Sequence, residues 1–149
     1  ETTASGVTVT GTVNTDQLDI GNHVIEDATI SATASTGTIN FDVNTQSVLF
    51  FTTNATANFT LNVRGDASTT LNSIMAIGDA MTIVFLSTQG SSAYFNNVFK
   101  IDGTTITPKF QGGSAPSSGN ANSVDSYVYS IFKTADATFT VFGSQTQFA

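Results

Sequence analysis

The stretch that decides the fold is Ala57-Asn-Phe-Thr-Leu-Asn-Val-Arg64, in which apolar and polar side chains alternate. Successive side chains of a β-strand point to opposite faces of its sheet. The alternation therefore predicts a half-buried strand in which Phe59, Leu61 and Val63 face a core. The polar residues between them are expected to face solvent.

Similar short segments occur on both sides of this strand. Further strands are predicted at residues 28–35, 37–43, 47–53, 81–88, 98–101, 104–107, 123–133 and 137–146. Eight or nine strands at a spacing of roughly 8–12 residues are typical of a sandwich or barrel. We therefore expect an all-β protein with a jelly-roll-like antiparallel β-sandwich.

Local signals refine this prediction. Asp102-Gly103 between two short apolar segments is a strong hairpin signal. The apolar run Val48-Leu-Phe-Phe51 favours a strand that is buried on both faces. The spacing of apolar side chains in residues 71–75 predicts one or two helical turns. We also expect Phe139, in the last strand, to lie in the core with Phe59.

Residues 1–27 differ from the rest of the chain. They contain no aromatic residue, yet they hold five of the eleven acidic residues. Their light Val/Thr alternation cannot form a core alone, so we expect short strands that act as an arm or stalk end. We place a domain boundary near residue 27 and assign residues 28–149 to the sandwich. The expected oligomer contacts are Val7, Val9, Val13, Leu18 and Ile20.

The composition excludes several classes of partner. Four basic residues and a net charge of −7 argue against nucleic acid and anionic membranes, because phosphates need clustered Lys and Arg. No apolar run approaches the ~18 residues of a membrane span, so we expect no membrane insertion. The chain has no cysteine, which excludes disulfides and thiolate sites. The polar start lacks both a signal-peptide pattern and an initiator Met, so we expect a processed product or part of a longer chain.

The residues needed for catalysis are also missing from the sequence. His23 is the only histidine, and no G-x-S-x-G motif accompanies it. A zinc site needs three or four His, Cys or acidic ligands. We therefore expect a protein that is not an enzyme, with no catalytic residue, cofactor or metal. A calcium ion in a loop stays an open alternative, although no D-x-[DN]-x-[DN]-G run is present.

Aromatic residues are the remaining candidates for a binding site. Tyr94 and Phe95 fall in a predicted loop, where they are candidates for stacking on a host-surface glycan. Tyr127 and Tyr129 alternate within a strand, which favours a packed or interfacial role over sugar binding. The glycine-rich residues 111–122 are predicted to form a long flexible loop, because no Lys-Ser/Thr follows them as in a phosphate loop.

Several motifs from residue 70 onward are similar to those of a known protein family. They are Thr70-Leu-Asn-Ser-Ile-Met, Ile101-Asp-Gly-Thr, Thr107-Pro-Lys-Phe-Gln-Gly-Gly-Ser-Ala-Pro and the ending that begins at Lys133-Thr-Ala-Asp-Ala-Thr-Phe. Residues 69–149 resemble the C-terminal domain of virion structural, fibre-like proteins of marine tailed phages, especially cyanophages. Members of that family often carry Trp where Phe110 stands here.

The resemblance implies a non-enzymatic component of the virion surface, with no catalytic residues to carry over. Phage fibres and their tips are commonly homotrimers, so we expect a homotrimer in contact with other virion proteins. A fibre tip and a surface decoration or adhesion module are both consistent with it. The alternative is a bacterial cell-surface adhesin or carbohydrate-binding module.

Overall fold

The computed structural model describes residues 9–11 and 13–148. In this part the chain forms ten strands, one short α-helix, α1 (Leu71–Ile74), and one 3₁₀ turn (Gln111–Gly113). The strands are β1 (Ala28–Ala34), β2 (Gly37–Asp42), β3 (Val48–Thr53), β4 (Phe59–Arg64), β5 (Ala80–Thr88), β6 (Asn96–Ile101), β7 (Thr104–Ile106), β8 (Lys109–Phe110), β9 (Val124–Ala135) and β10 (Thr138–Phe148). None of the described residues belongs to a helix long and apolar enough to cross a membrane.

The strands form two sheets whose inner faces share one hydrophobic core. The larger sheet has six strands in the order β1-β3-β5-β9-β10-β8, and the smaller has four in the order β2-β4-β6-β7. Buried residues from both sheets belong to a single cluster. The predicted all-β sandwich is therefore confirmed.

The first six strands alternate between the two sheets. β1, β3 and β5 lie side by side and parallel in the larger sheet, and β2, β4 and β6 do the same in the smaller one. This part of the chain therefore advances as a spiral, in which each coil adds one strand to each sheet. β9 then pairs antiparallel with β5 and with β10, which ends the spiral in the larger sheet.

The expected antiparallel pairing is wrong for five of the eight strand pairs, and the jelly-roll arrangement is not confirmed. Only β5–β9, β9–β10 and β6–β7 are antiparallel among the described pairs. The alternation of apolar residues records which face a side chain occupies, but it carries no information on the direction of the neighbouring strand. The parallel crossovers run through the opposite sheet rather than through a helix.

The core is built on the strand with the cleanest alternation. Phe59, Leu61 and Val63 are each at most 1% exposed, as predicted. The ring of Phe59 contacts Phe85 and Tyr127 edge to face, with centroid distances of 5.4 and 5.8 Å. Phe139 packs against the same cluster but is only half-buried.

Two local predictions are confirmed. The Asp102-Gly103 turn joins β6 to β7, and both residues have positive φ angles, 49° and 80°, as a two-residue hairpin turn requires. The helical signal gives α1, which begins after Thr70. The hydroxyl of Thr70 accepts a hydrogen bond from the backbone N–H of Ser73 at 3.1 Å.

Two charged side chains, Asp102 from the β6–β7 turn and Lys133 from β9, hold both ends of α1. At its start, the Asp102 carboxylate accepts from the N–H groups of Leu71 and Asn72 at 2.7 and 3.0 Å. At its end, the ammonium of Lys133 donates to the carbonyls of Asn72 and Met75 at 2.6 and 2.8 Å. These contacts satisfy backbone groups that a short helix leaves unpaired, and each charge has the sign that the helix dipole favours.

The N-terminal arm, residues 9–11 and 13–27, contains no helix or strand, and all of its residues are exposed. The short strands expected in this segment are therefore not formed in the described residues. An isolated strand leaves its backbone N–H and C=O groups unpaired, and the single chain brings no second strand beside the arm. At the base of the arm, the hydroxyl of Ser47 donates to the Glu26 carboxylate at 2.6 Å.

Candidate functional site

Two loops meet at one end of the sandwich, which we call the loop end. One connects β5 to β6 and carries Tyr94 and Phe95, and the other is the long segment between the 3₁₀ turn and β9. They touch at Gly119, where an added Cβ would clash with the Tyr94 carbonyl and lie 2.7 Å from Oδ2 of Asp125. Residue 119 must therefore be glycine for the loops to approach this closely.

The two predicted glycan-binding aromatics are both half-buried at the loop end. The N–H of Tyr94 donates to the side-chain oxygen of Gln89 at 2.8 Å, which fixes the backbone of the loop. Phe95 packs against the core cluster, and its N–H donates to the Asn58 side chain at 3.1 Å. The structure thus brings Tyr94 and Phe95 into one loop, but part of Phe95 serves the core.

A buried carboxyl group lies directly beneath the loop end. Asp125 is fully buried, and its Oδ2 accepts from the N–H of Asn120 at 3.1 Å. Among the described residues, neither Oδ1 of Asp125 nor the Ser123 hydroxyl has a hydrogen-bond partner. Burial raises the pKa of Asp125 above its ordinary value, because a charge removed from water is penalised, although the Asn120 hydrogen bond partly opposes this effect.

Tyr127 and Tyr129 are structural, in agreement with the packed role predicted for them. Both are fully buried, and burial raises the pKa of both hydroxyl groups. The Tyr129 hydroxyl donates to the side-chain oxygen of Asn96 at 2.6 Å, and the Tyr127 hydroxyl accepts from the backbone N–H of Asn96 at 3.3 Å. Asn96 thereby links the inner faces of the two sheets through hydrogen bonds.

Several clefts of the molecule meet at Phe110, and a further cleft of about 410 Å³ lies beside Gln89 and Ser123. Three clefts of about 390, 170 and 320 Å³ share this residue. Polar groups from Gln111, Ser144 and Gln145 line the third cleft beside it. Two of these volumes fall in the range of about 300–1,000 Å³ that is usual for small-molecule sites. One sequence signal marks this place, namely an aromatic residue directly before a glycine-rich run.

The remaining predicted contact residues lie in the exposed arm. Val9, Val13, Leu18 and Ile20 are 54, 57, 66 and 47% exposed, whereas Val7 lies outside the described residues. The structure does not bring these four side chains into contact with the sandwich core. His23 is likewise exposed in the arm. No group of three or more His, Cys, Asp or Glu side chains suited to a metal ion occurs in the described part of the chain.

Comparison of the chain with protein-family models, with curated proteins and with solved structures finds no match. The fold and its surfaces therefore define a class only: an all-β, two-sheet protein with a partly parallel spiral and an exposed arm.

Proposed function

We propose that this chain is a non-enzymatic structural protein of a phage virion, a fibre tip or surface decoration module that assembles as a homo-oligomer, with a homotrimer as the expected form. Its partners are its own copies and other proteins on the surface of the particle. The sequence resemblance supports the virion setting. The exposed apolar arm is the observation that carries the assembly role.

The arm carries more apolar surface than a free segment needs. Leu18, Val24 and Ile25 are 66, 63 and 83% exposed, and they lie within the ten residues before β1. Burial of apolar surface yields about 25 cal/mol per Å², so a second chain that covers these side chains is favoured. The acidic residues of the arm, Asp16, Asp19, Glu26 and Asp27, favour its solubility while it has no partner.

The test is the mass of the protein in solution. We expect wild-type protein to sediment at three times the 15.5 kDa chain mass, and Leu18→Asp to lower that mass. Thr15→Asp, which adds the same charge at an exposed polar position of the arm, is the matched control. A wild-type chain that stays monomeric across the micromolar range overturns the homo-oligomer. Image reconstruction of the intact particle, with density for this chain on its surface, tests the virion assignment.

The clefts at Phe110 favour a second candidate, a carbohydrate-binding or adhesin module. A sugar ring stacks on an aromatic face while its hydroxyls bond to amides, and Phe110 lies beside Gln111 and Gln145. This candidate predicts that Gln111→Ala, at an exposed residue of the cleft, weakens glycan binding on an array while the melting temperature is retained. Thr38→Ala, at an exposed position on β2, is the control. No glycan binding by wild-type protein would eliminate this candidate.

A further inference from the structure

We propose that the outer face of the six-stranded sheet binds a second copy of this chain. The outer face is defined here by the outward side chains of β1, β3, β5, β9 and β10. The inference rests on the proposed homo-oligomer and assigns it a surface other than the arm.

The strand register groups large apolar side chains into two patches on the outer face. Ile30 lies beside Phe50, and Phe50 lies beside Leu86, so three adjacent strands present large apolar groups in one row. At the other side of the sheet, Phe132 and Phe142 contact each other edge to face at 5.8 Å. Ile30, Phe132 and Phe142 are 70, 40 and 47% exposed in the single chain.

The outer face also carries no charge. The five strands contain two charged residues, Asp125 and Lys133, and both point inward and are buried. Lys109 on the edge strand β8 borders this face, and its ammonium lies 5.7 Å from the ring centroid of Phe142. Polar outward positions are filled by Ser and Thr, as at Ser130.

The smaller sheet shows what a solvated outer face looks like in the same protein. Its outward side chains include Asp42, Arg64 and Lys100, and Asp42 and Arg64 form an ion pair at 2.6 Å. The larger sheet has the composition of a covered face, whereas the smaller one has that of a face in water.

The size and charge of the surface fit a second copy. Five strands spaced about 4.8 Å apart and about 30 Å long present roughly 700 Å², close to the ~800 Å² that each partner buries in a standard interface. Two chains that each carry −7 repel one another through most surfaces. The outer face lets them meet where neither presents a carboxylate. It is also continuous with the arm, which joins the sheet at Ala28.

The experiment compares single charges on the two outer faces. We expect Phe142→Glu and Ile30→Glu to weaken self-association about tenfold or more by sedimentation equilibrium. Thr38→Glu, on the outer face of the smaller sheet, should leave it unchanged. Circular dichroism checks that each variant is folded, and both test positions are exposed enough to accept a charge.

A second measurement uses the absence of cysteine from the chain. A thiol reagent should label Phe142→Cys more slowly at high protein concentration than at low, and should label Thr38→Cys equally fast at both. If Leu18→Asp dissociates the oligomer while the outer-face variants leave it intact, the outer face is not the interface but the homo-oligomer stands. If the wild-type chain is monomeric throughout, both proposals fail.

Discussion

Gly143 lies directly opposite Phe110 across the parallel β8–β10 pair, and it leaves the space that the Phe110 ring needs. A methyl group at position 143 would lie 2.9 Å from Cε1 of Phe110 and 2.8 Å from Cε1 of Tyr129. Gly143→Ala should therefore destabilise the fold by about 1–3 kcal/mol through overpacking. Urea denaturation measures the change, and Gly21→Ala, where a Cβ meets nothing within 4 Å, is the control. Equal midpoints for the two variants would show that the rings can move aside.

The buried ammonium of Lys133 predicts an unusual sensitivity at this position. Lys133→Met keeps most of the side-chain volume but leaves the carbonyls of Asn72 and Met75 without their donor. We expect a loss of about 1–3 kcal/mol in the free energy of unfolding. Lys100→Met, on the solvated face of the smaller sheet, should change it by less than about 0.5 kcal/mol. If both variants unfold at the same urea concentration, the contacts between Lys133 and α1 contribute little to the stability of the fold.

The two phenylalanines predicted for the core should differ in their contributions. Phe59 is 1% exposed and contacts two aromatic rings, so Phe59→Ala should cost about 3–5 kcal/mol. Phe139 is half-buried at the edge of the cluster, so Phe139→Ala should cost clearly less. Thermal unfolding of both variants tests this order. A larger loss at Phe139 would mean that its exposed side is covered in the assembled protein.

Two aspartates should give the protein opposite pH dependences. The folded-state pKa of Asp125 is raised by burial, so the folded state binds the proton more tightly and its stability falls as pH rises from the unfolded-state pKa through the folded one. Asp125→Asn should remove this slope, so its stability relative to wild type should increase from about pH 4 upward.

Asp66 should show the opposite pH dependence of stability. Hydrogen bonds from the Ser68 N–H and the Asn44 amide lower the pKa of Asp66, so its contribution is present above the unfolded-state pKa and is lost as pH falls through the folded one. Asp66→Ala should therefore be less stable than wild type at neutral pH, with the difference vanishing in acid. Denaturation curves from pH 2.5 to 7 test both residues, and slopes of the same sign in the two comparisons with wild type would contradict this assignment.

The sequence predicted the strands, and which of their side chains face the core, better than it predicted how the strands are arranged in the two sheets. Alternation in residues 57–64 gave the inward set of β4, and Asp102-Gly103 gave the β6–β7 hairpin. Strand direction could not be read, because a parallel and an antiparallel neighbour require the same pattern of side chains. β8 was not predicted, because the two residues between Pro108 and the glycine-rich run are too few to show an alternation of apolar and polar side chains.

For the candidate surfaces, too, the sequence predicted local features but not how they come together. The apolar run Val48–Phe51 indicated a strand buried on both faces, and in the single chain Leu49 is buried on the inward side while Val48 and Phe50 on the outward side are half-buried. Pairwise register across five strands was needed to see that its outward side chains continue into one uncharged surface. Phe110 became a candidate through the clefts around it, which depend on loops far apart in sequence.

The spiral of β1 to β6 gives the molecule a polarity. On the side away from β1, β9 runs antiparallel to β5 and to β10, so the spiral does not continue beyond β5 in the larger sheet. At the other side β1 and β2 each keep one edge with unpaired N–H and C=O groups. A duplicated coil would therefore widen both sheets by one strand at β1 and β2 without disturbing the antiparallel β5–β9–β10 arrangement, so this architecture can vary in width on one side.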